Sequence, residues 1–460
     1  MIQLQTILVF SFILSFLFGT TSSAEAKEIP QMQCTTVGPL GEQGHRRVVC
    51  ADIAAFDQML IYNRFGSYNP YGMVFALRRD LTKSTNDPSK FDASACNADF
   101  GVDKTLDTTL EPGLVRFKDC KRPRPLVLRA NEGDILKLRV SNQLRDVQPT
   151  FSKNLCREKQ PVNSLGAEVR GKIIEGDNAL VKHGEADCLM QTVQERAEQD
   201  AMPDTDWPKT RGLSFAVQGL VAVEDPAAPV DDAKAMRDVR VCRGLLAIEP
   251  GEFVDCYYEI DRTGPYFFSS NAAPSGGEGD GGSITHGLFG AVVVEGRGTN
   301  WYRSQVAQSA FDLAWPKLAA DGRYYKNAEA GPFCPSHSTS APAADQVALR
   351  HARSSSGVCY QAMSNGFPVL DMVAVRPPVN TTYPNQSAAQ QAYDGAKKAG
   401  PVEIVHTDLN AIIHQPDHAA MTTTDGQSLA ALPESSFRAF SVFFHDELRS
   451  FYTRNFRERG

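Results

Sequence analysis

Gly264-Pro-Tyr-Phe-Phe-Ser-Ser-Asn-Ala-Ala-Pro-Ser-Gly-Gly-Glu-Gly-Asp-Gly-Gly-Ser-Ile-Thr-His-Gly-Leu-Phe-Gly-Ala-Val-Val-Val-Glu295 is the stretch that decides the fold. Tyr266 to Ser269 predicts one strand, and Gly290 to Glu295 predicts a second, apolar one. Aromatic and β-branched side chains suit a pleated, half-buried surface. The glycines between them, from Gly276 to Gly282, mark a long loop that belongs to neither strand.

The same β signal continues on both sides. Arg124-Pro-Leu-Val-Leu-Arg129 and Ile135-Leu-Lys-Leu-Arg-Val140 flank an Asn131-Glu-Gly-Asp134 turn, and their period of two predicts a strand pair. Gly212 to Val223 predicts another strand. Leu245 to Glu252 and Phe253 to Ile260 predict a further pair about a Pro-Gly turn. Gln148 to Asp206 is polar and reads as an insertion, with a short helix expected from Glu185 to Met202. Pro226 to Ala235, Ala328 to Val358 and Pro377 to Gly400 read as loops, the last turning Ala/Gln/Lys-rich. Val402 to Val405 predicts a short strand. Phe437 to His445 predicts an aromatic one, with Phe443 and Phe444 in a core. No repeat of short period is present.

Composition narrows the function classes. The 460 residues are 42% hydrophobic and 22% charged, with a net charge of -7. With no basic stripe or tail, nucleic acid is excluded as a partner. Ile7 to Phe18 is an apolar run too short to span a bilayer, followed by Ala24-Glu-Ala26. Residues 1–26 therefore read as a signal peptide, and no transmembrane anchor is expected. The expected location is secreted, periplasmic or at the cell surface. In such an oxidising compartment the ten cysteines read as disulfide partners. Cys34–Cys50 and Cys242–Cys256 would each close a short loop, and no C-x-x-C zinc pattern occurs.

Four sets of residues carry a family resemblance. They are Arg122 to Asp134 with Leu138-Arg-Val-Ser-Asn142; Gly276 to Ser283 with His286 to Glu295 and Trp301-Tyr-Arg-Ser304; Phe440 to Glu447; and Tyr62-Asn-Arg-Phe-Gly-Ser67. Together they resemble the large bacterial multicopper oxidases of the manganese-oxidising type, in the cupredoxin superfamily. The resemblance implies an all-β fold: a cupredoxin-like Greek-key β-sandwich with insertions over residues 27–298. A loop-rich connector over 299–436 and the opening strand of an incomplete second cupredoxin-like domain over 437–460 would follow. It also implies copper as cofactor, oxidation of metal ions such as Mn(II) with O2, and a downstream polypeptide carrying the remaining domains.

The ligands for that chemistry are another matter. A mononuclear copper site needs a Cys thiolate and two imidazoles. No cysteine here has a histidine beside it. A trinuclear cluster needs His-x-His pairs on neighbouring strands, where alternate residues face one side. The resemblance places these pairs at Phe215-Ala-Val-Gln-Gly219 and at Phe268-Ser-Ser-Asn271. The chain is therefore expected to be incompetent as an oxidase alone; the alternative is a copper-free cupredoxin module with a binding or structural role. Four candidate metal residues remain. His286 is either a ligand or a loop histidine whose glycine neighbour serves the backbone. Glu278 and Asp280 offer oxygen atoms to a hard cation or are solvated acids. His445, with Asp446 and Glu447, is a metal site or a polar strand end. His414 and His418 share a face only on a helix, which Pro416 opposes. Asn380-Thr-Thr and Asn385-Gln-Ser match glycosylation sequons.

Overall fold

The structure is a computed structural model. It describes residues 29–35, 46–63, 67–69, 72–83, 110–118, 121–145, 211–229, 232–272, 282–306, 308–314, 317–318, 324–325, 363–364, 367–375, 386–416, 421–422, 428–429, 434–445 and 451–452. The helix expected from Glu185 to Met202 and the loop from Ala328 to Val358 lie outside them.

The main elements, in chain order, are strands β1 (Val48–Asp57), β2 (Met73–Leu77), β3 (Leu126–Asn131), β4 (Ile135–Asn142), β5 (Ala216–Val217) and β6 (Val221–Val223), helix α1 (Ala233–Cys242), strands β7 (Phe253–Glu259), β8 (Gly264–Ser269), β9 (Phe289–Glu295), β10 (Asn300–Arg303) and β11 (Val373–Ala374), helix α2 (Gln386–Ala399), and strands β12 (Val402–Ile404), β13 (Asn410–Gln415) and β14 (Ser435–Phe440). One sheet runs β6-β7-β4-β1-β12-β11, with β2 also on β1; a second runs β3-β9-β8-β5. β1 is parallel to β4, and β9 is parallel to β3, while β7–β4 and β8–β9 are antiparallel. Each sheet thus joins strands that are distant in sequence. The architecture is all-β, built on two facing sheets.

The core explains the topology. Leu126, Leu128 and Ala130 of β3 and Leu136, Leu138 and Val140 of β4 belong to one buried cluster. The two strands do not pair with each other, which corrects the expected strand pair. The Asn131–Asp134 turn carries the chain from one sheet to the other. Two facing layers bury both apolar rows against each other, where a hairpin would place them side by side. Asp134 fixes the crossing: its carboxylate accepts from the Asn131 N–H at 2.7 Å and from two Arg47 nitrogens at 2.9 and 2.6 Å.

The outer face of the first sheet is covered as well. Lys137 and Arg139 alternate with the apolar residues of β4 and donate to Gln33 O at 3.0 Å and Pro30 O at 2.9 Å. Arg78 donates to Ile29 O at 2.6 Å. Segment 29–35 lies across this face with Ile29 and Met32 buried, and the Cys34–Cys50 disulfide ties it to β1. The second expected disulfide, Cys242–Cys256, joins α1 to β7.

Several local expectations are corrected. Leu245 to Glu252 forms turns and one isolated bridge, Ile248 to Leu213, instead of a strand. The loop expected to Ala235 gives way to α1, capped by Asp232 Oδ1 accepting from Lys234 N and Ala235 N at 2.7 and 3.3 Å. The Ala/Gln/Lys-rich run forms α2. Phe444 is 94% exposed and so is no core residue. Strand β14 stops at Phe440. β11 and β12, from the segment expected as a connector, extend the first sheet. β10, β13 and β14 form a three-stranded sheet that contains the fully buried Trp301.

Candidate functional site

β5 and β8 meet where the resemblance puts copper-binding imidazoles. Their register pairs Phe268 with Val217 and Ser269 with Ala216. Phe215 and Phe268 point into the core, their ring centroids 5.0 Å apart. Phe75 of β2 meets both edge-on, at 5.7 and 5.5 Å. Such pairs add about 0.5–1.5 kcal/mol each beyond the area they bury. The Phe268 ring lies directly over Gly290, where a Cβ would come within 2.3 Å of its tip. A side chain at 290 would expel the ring, which is why a glycine interrupts this strand.

The polar residues at this crossing are already engaged. Asn271 N–H donates to Ser214 Oγ at 2.9 Å, and Ser214 N–H to Ser270 Oγ at 3.4 Å. Ser269 Oγ donates to Asn271 Oδ1 at 3.3 Å. Ser214, Ser269 and Ser270 are buried. Hydroxyls and phenyl rings are poor donors to copper, which takes imidazole and thiolate. The residues present do not fit a copper cluster.

His286 sits beside this crossing, at the exit of the glycine loop. It is fully buried, and its Nδ1 lies 3.2 Å from Asn69 Nδ2. Its carbonyl accepts from Met73 N–H at 2.8 Å, which ties the loop to β2. Gly287 has a φ of 107°, and a Cβ there would fall 2.7 Å from Met73 O. The glycine therefore serves the backbone. Tyr62 adjoins the same amide: burial pushes its phenol up to about 12, with the Asn69 hydrogen bond working against that rise. Buried Asn69 and His286 and half-buried Tyr62 form a polar cluster. Sequence reasoning singled out the histidine and the Tyr62 to Ser67 stretch separately, and their contact is tertiary.

His445 is brought to a different surface. Its ring stacks on Phe289 at 5.5 Å and 25°, beside Phe443, whose ring lies 5.7 Å from Phe289. His414 is on strand β13, with Nδ1 2.9 Å from Ser436 Oγ. Glu278, Asp280, Asp446, Glu447 and His418 lie outside the described residues. Among the described residues, no group of three or more His, Cys, Asp or Glu stands at metal-holding spacing.

Comparison with known proteins adds little. No family model matches the chain, and no curated protein does. A solved multi-copper oxidase from Pseudomonas thermotolerans is similar over 54% of this chain and 30% of that one, at 12% identity and a TM-score of 0.20. At that score the likeness carries no argument. The all-β class rests on the sheet order described above. No described helix is long and apolar enough to cross a membrane.

Proposed function

We propose that this chain is a copper-free scaffold module of a multicopper-oxidase-like protein. It is exported, and it takes part in oxidation of a metal ion such as Mn(II) by O2 only beside a further polypeptide that supplies the coppers. The observation that carries the reading is the crossing of β5 and β8. There Phe215 and Phe268 fill the core while Ser214, Ser270 and Asn271 satisfy one another. The cupredoxin-like frame is present, and its ligand positions are spent on packing. Export is supported by the apolar run from Ile7 to Phe18 and by the two disulfides.

The test measures copper per purified chain and the oxidation of Mn(II) and of a phenolic dye. Both assays are run on the chain alone and after mixing with the polypeptide encoded immediately downstream. Expected are substoichiometric copper, no turnover alone, and O2-dependent Mn(II) oxidation in the mixture. Stoichiometric copper with turnover by the chain alone would end this reading. The same packed crossing also favours a second reading, a stand-alone module that binds a partner or braces a structure. That reading gains if no neighbouring polypeptide restores oxidation.

A further inference from the structure

The loop between β12 and β13 gathers basic side chains from three other parts of the chain. Asp408 in this loop accepts from Arg124 Nη2 at 2.9 Å and from Arg303 Nε at 3.0 Å. The next carbonyl, Leu409 O, accepts from Arg129 Nη2 at 3.4 Å. His406, two residues before Asp408, is buried, and its backbone N–H donates to Met372 O at 3.2 Å. Arg79 and Lys121 act on the same imidazole, and Lys121 Nζ also pairs with Asp80 at 2.8 Å. Among the described residues, Lys121, Arg124, Arg129 and Arg303 thus face three carboxylates: Asp80, Asp408 and Glu295, the last acting on Arg129. Among the described residues these four cations outnumber the carboxylates by one, in a chain whose net charge is -7.

Two of its members are buried with side-chain nitrogens unpaired. Arg129 is 2% exposed, and its Nε and Nη1 have no hydrogen-bond partner. His406 Nε2 has none either. A buried guanidinium left short of acceptors costs several times what a satisfied hydrogen bond contributes. Burial and the surrounding cations hold His406 well below its usual range, so the ring is neutral. A neutral imidazole with hydrogen on Nε2 is a donor. Arg124, about one-third exposed, and Lys121, about one-fifth exposed, stand on the solvent side. The unused capacity of Arg129 is donor capacity on a planar fork, and His406 Nε2 adds a donor in the tautomer that carries its hydrogen there.

We propose that Arg124, Arg129, Arg303 and His406 form a binding site for a small tetrahedral oxyanion, inorganic phosphate or sulfate. Its oxygen atoms take the donors that Arg129 and His406 leave unused, and its charge offsets the excess. Guanidinium groups match such oxygens in pairs, in the geometry that favours Arg over Lys for this task. Metal cations are repelled by the same field. This inference is independent of the oxidase reading.

The test uses the full chain, with sodium phosphate, sodium sulfate and sodium chloride at matched ionic strength. The His406 Nε2 resonance is followed by 15N NMR and assigned with His406→Gln, and thermal unfolding is recorded in parallel. Expected is a saturable movement of that resonance, with a matching rise in Tm, below about 10 mM phosphate or sulfate. The arm that saturates at lower concentration identifies the anion. Arg129→Met should weaken the response at least about tenfold. If that variant does not fold, Arg124→Gln, on the solvent side, should weaken it in the same sense. No movement of the His406 resonance with either anion would overturn the proposal. A Tm rise of equal size in wild type and Arg129→Met would do so too, since it would mark an adventitious ion on the surface.

Discussion

Asp52 lies under segment 29–35 with Arg78 3.7 Å away. Burial pushes its carboxyl up to about 7, and nearby Glu403 adds to the rise, while Arg78 and Arg139 pull the other way. Desolvation of the ionised form therefore wins over the guanidinium neighbours. The sign of the pH effect follows. The folded chain keeps a proton on Asp52 that the unfolded chain loses near 4, so stability falls as pH rises from about 4 to about 7 and is flat above. Asp52→Asn mimics the protonated form. It should raise Tm at pH 8 and change it little at pH 4; equal effects at both would show that Asp52 is not the group responsible. Gly287 gives a second prediction at this scale. Its φ of 107° and the closeness of Met73 O leave no place for a side chain. Gly287→Ala should cost about 2 kcal/mol or more, read from denaturant unfolding. A loss under about 0.5 kcal/mol would mean that the glycine loop re-forms freely.

At the scale of elements, segment 29–35 has no regular structure and depends on what lies beneath it. Three buried cations hold its carbonyls, and the Cys34–Cys50 disulfide closes a separation of 16 residues. A loop of that length is worth about 3 kcal/mol in the chain-entropy account. The double variant Cys34→Ser, Cys50→Ser should lose roughly that amount. Its amides near Met32 should also exchange hydrogen faster. Unchanged protection there would assign the strap to the cation contacts alone. Strands with clear alternation, such as β4 and β9, were legible in the sequence to within two residues. Helices α1 and α2 were not. Pro226, Pro229 and the paired Asp231 and Asp232 read as loop, although Asp232 is the cap of the helix that follows. The Leu245 to Glu252 run failed for the opposite reason: it is apolar enough for a strand but gains only a single bridge to Leu213.

Across the whole molecule, the all-β class and both disulfides named in advance follow from chain-local features: period-two patterning and cysteines close in sequence. Candidate site residues were legible as positions only. His286 was visible because it stands beside glycine at a strand entrance, yet its Asn69 partner is 217 positions away. The cluster around Asp408 left no trace at all, since its members come from the ends of β2, β3, β10 and β12. By itself the sequence determined that β3, β4, β7, β8, β9 and β12 are strands, where short covalent loops close, and that imidazoles are missing from the expected places, because each of these is written in neighbouring residues. Only the tertiary structure decided that β3 and β4 lie in opposite sheets, that Phe215 and Phe268 pack against each other as core, and that Arg129 is buried short of acceptors. Such facts depend on which faces meet across the sandwich, and burial against a distant strand has no local signature.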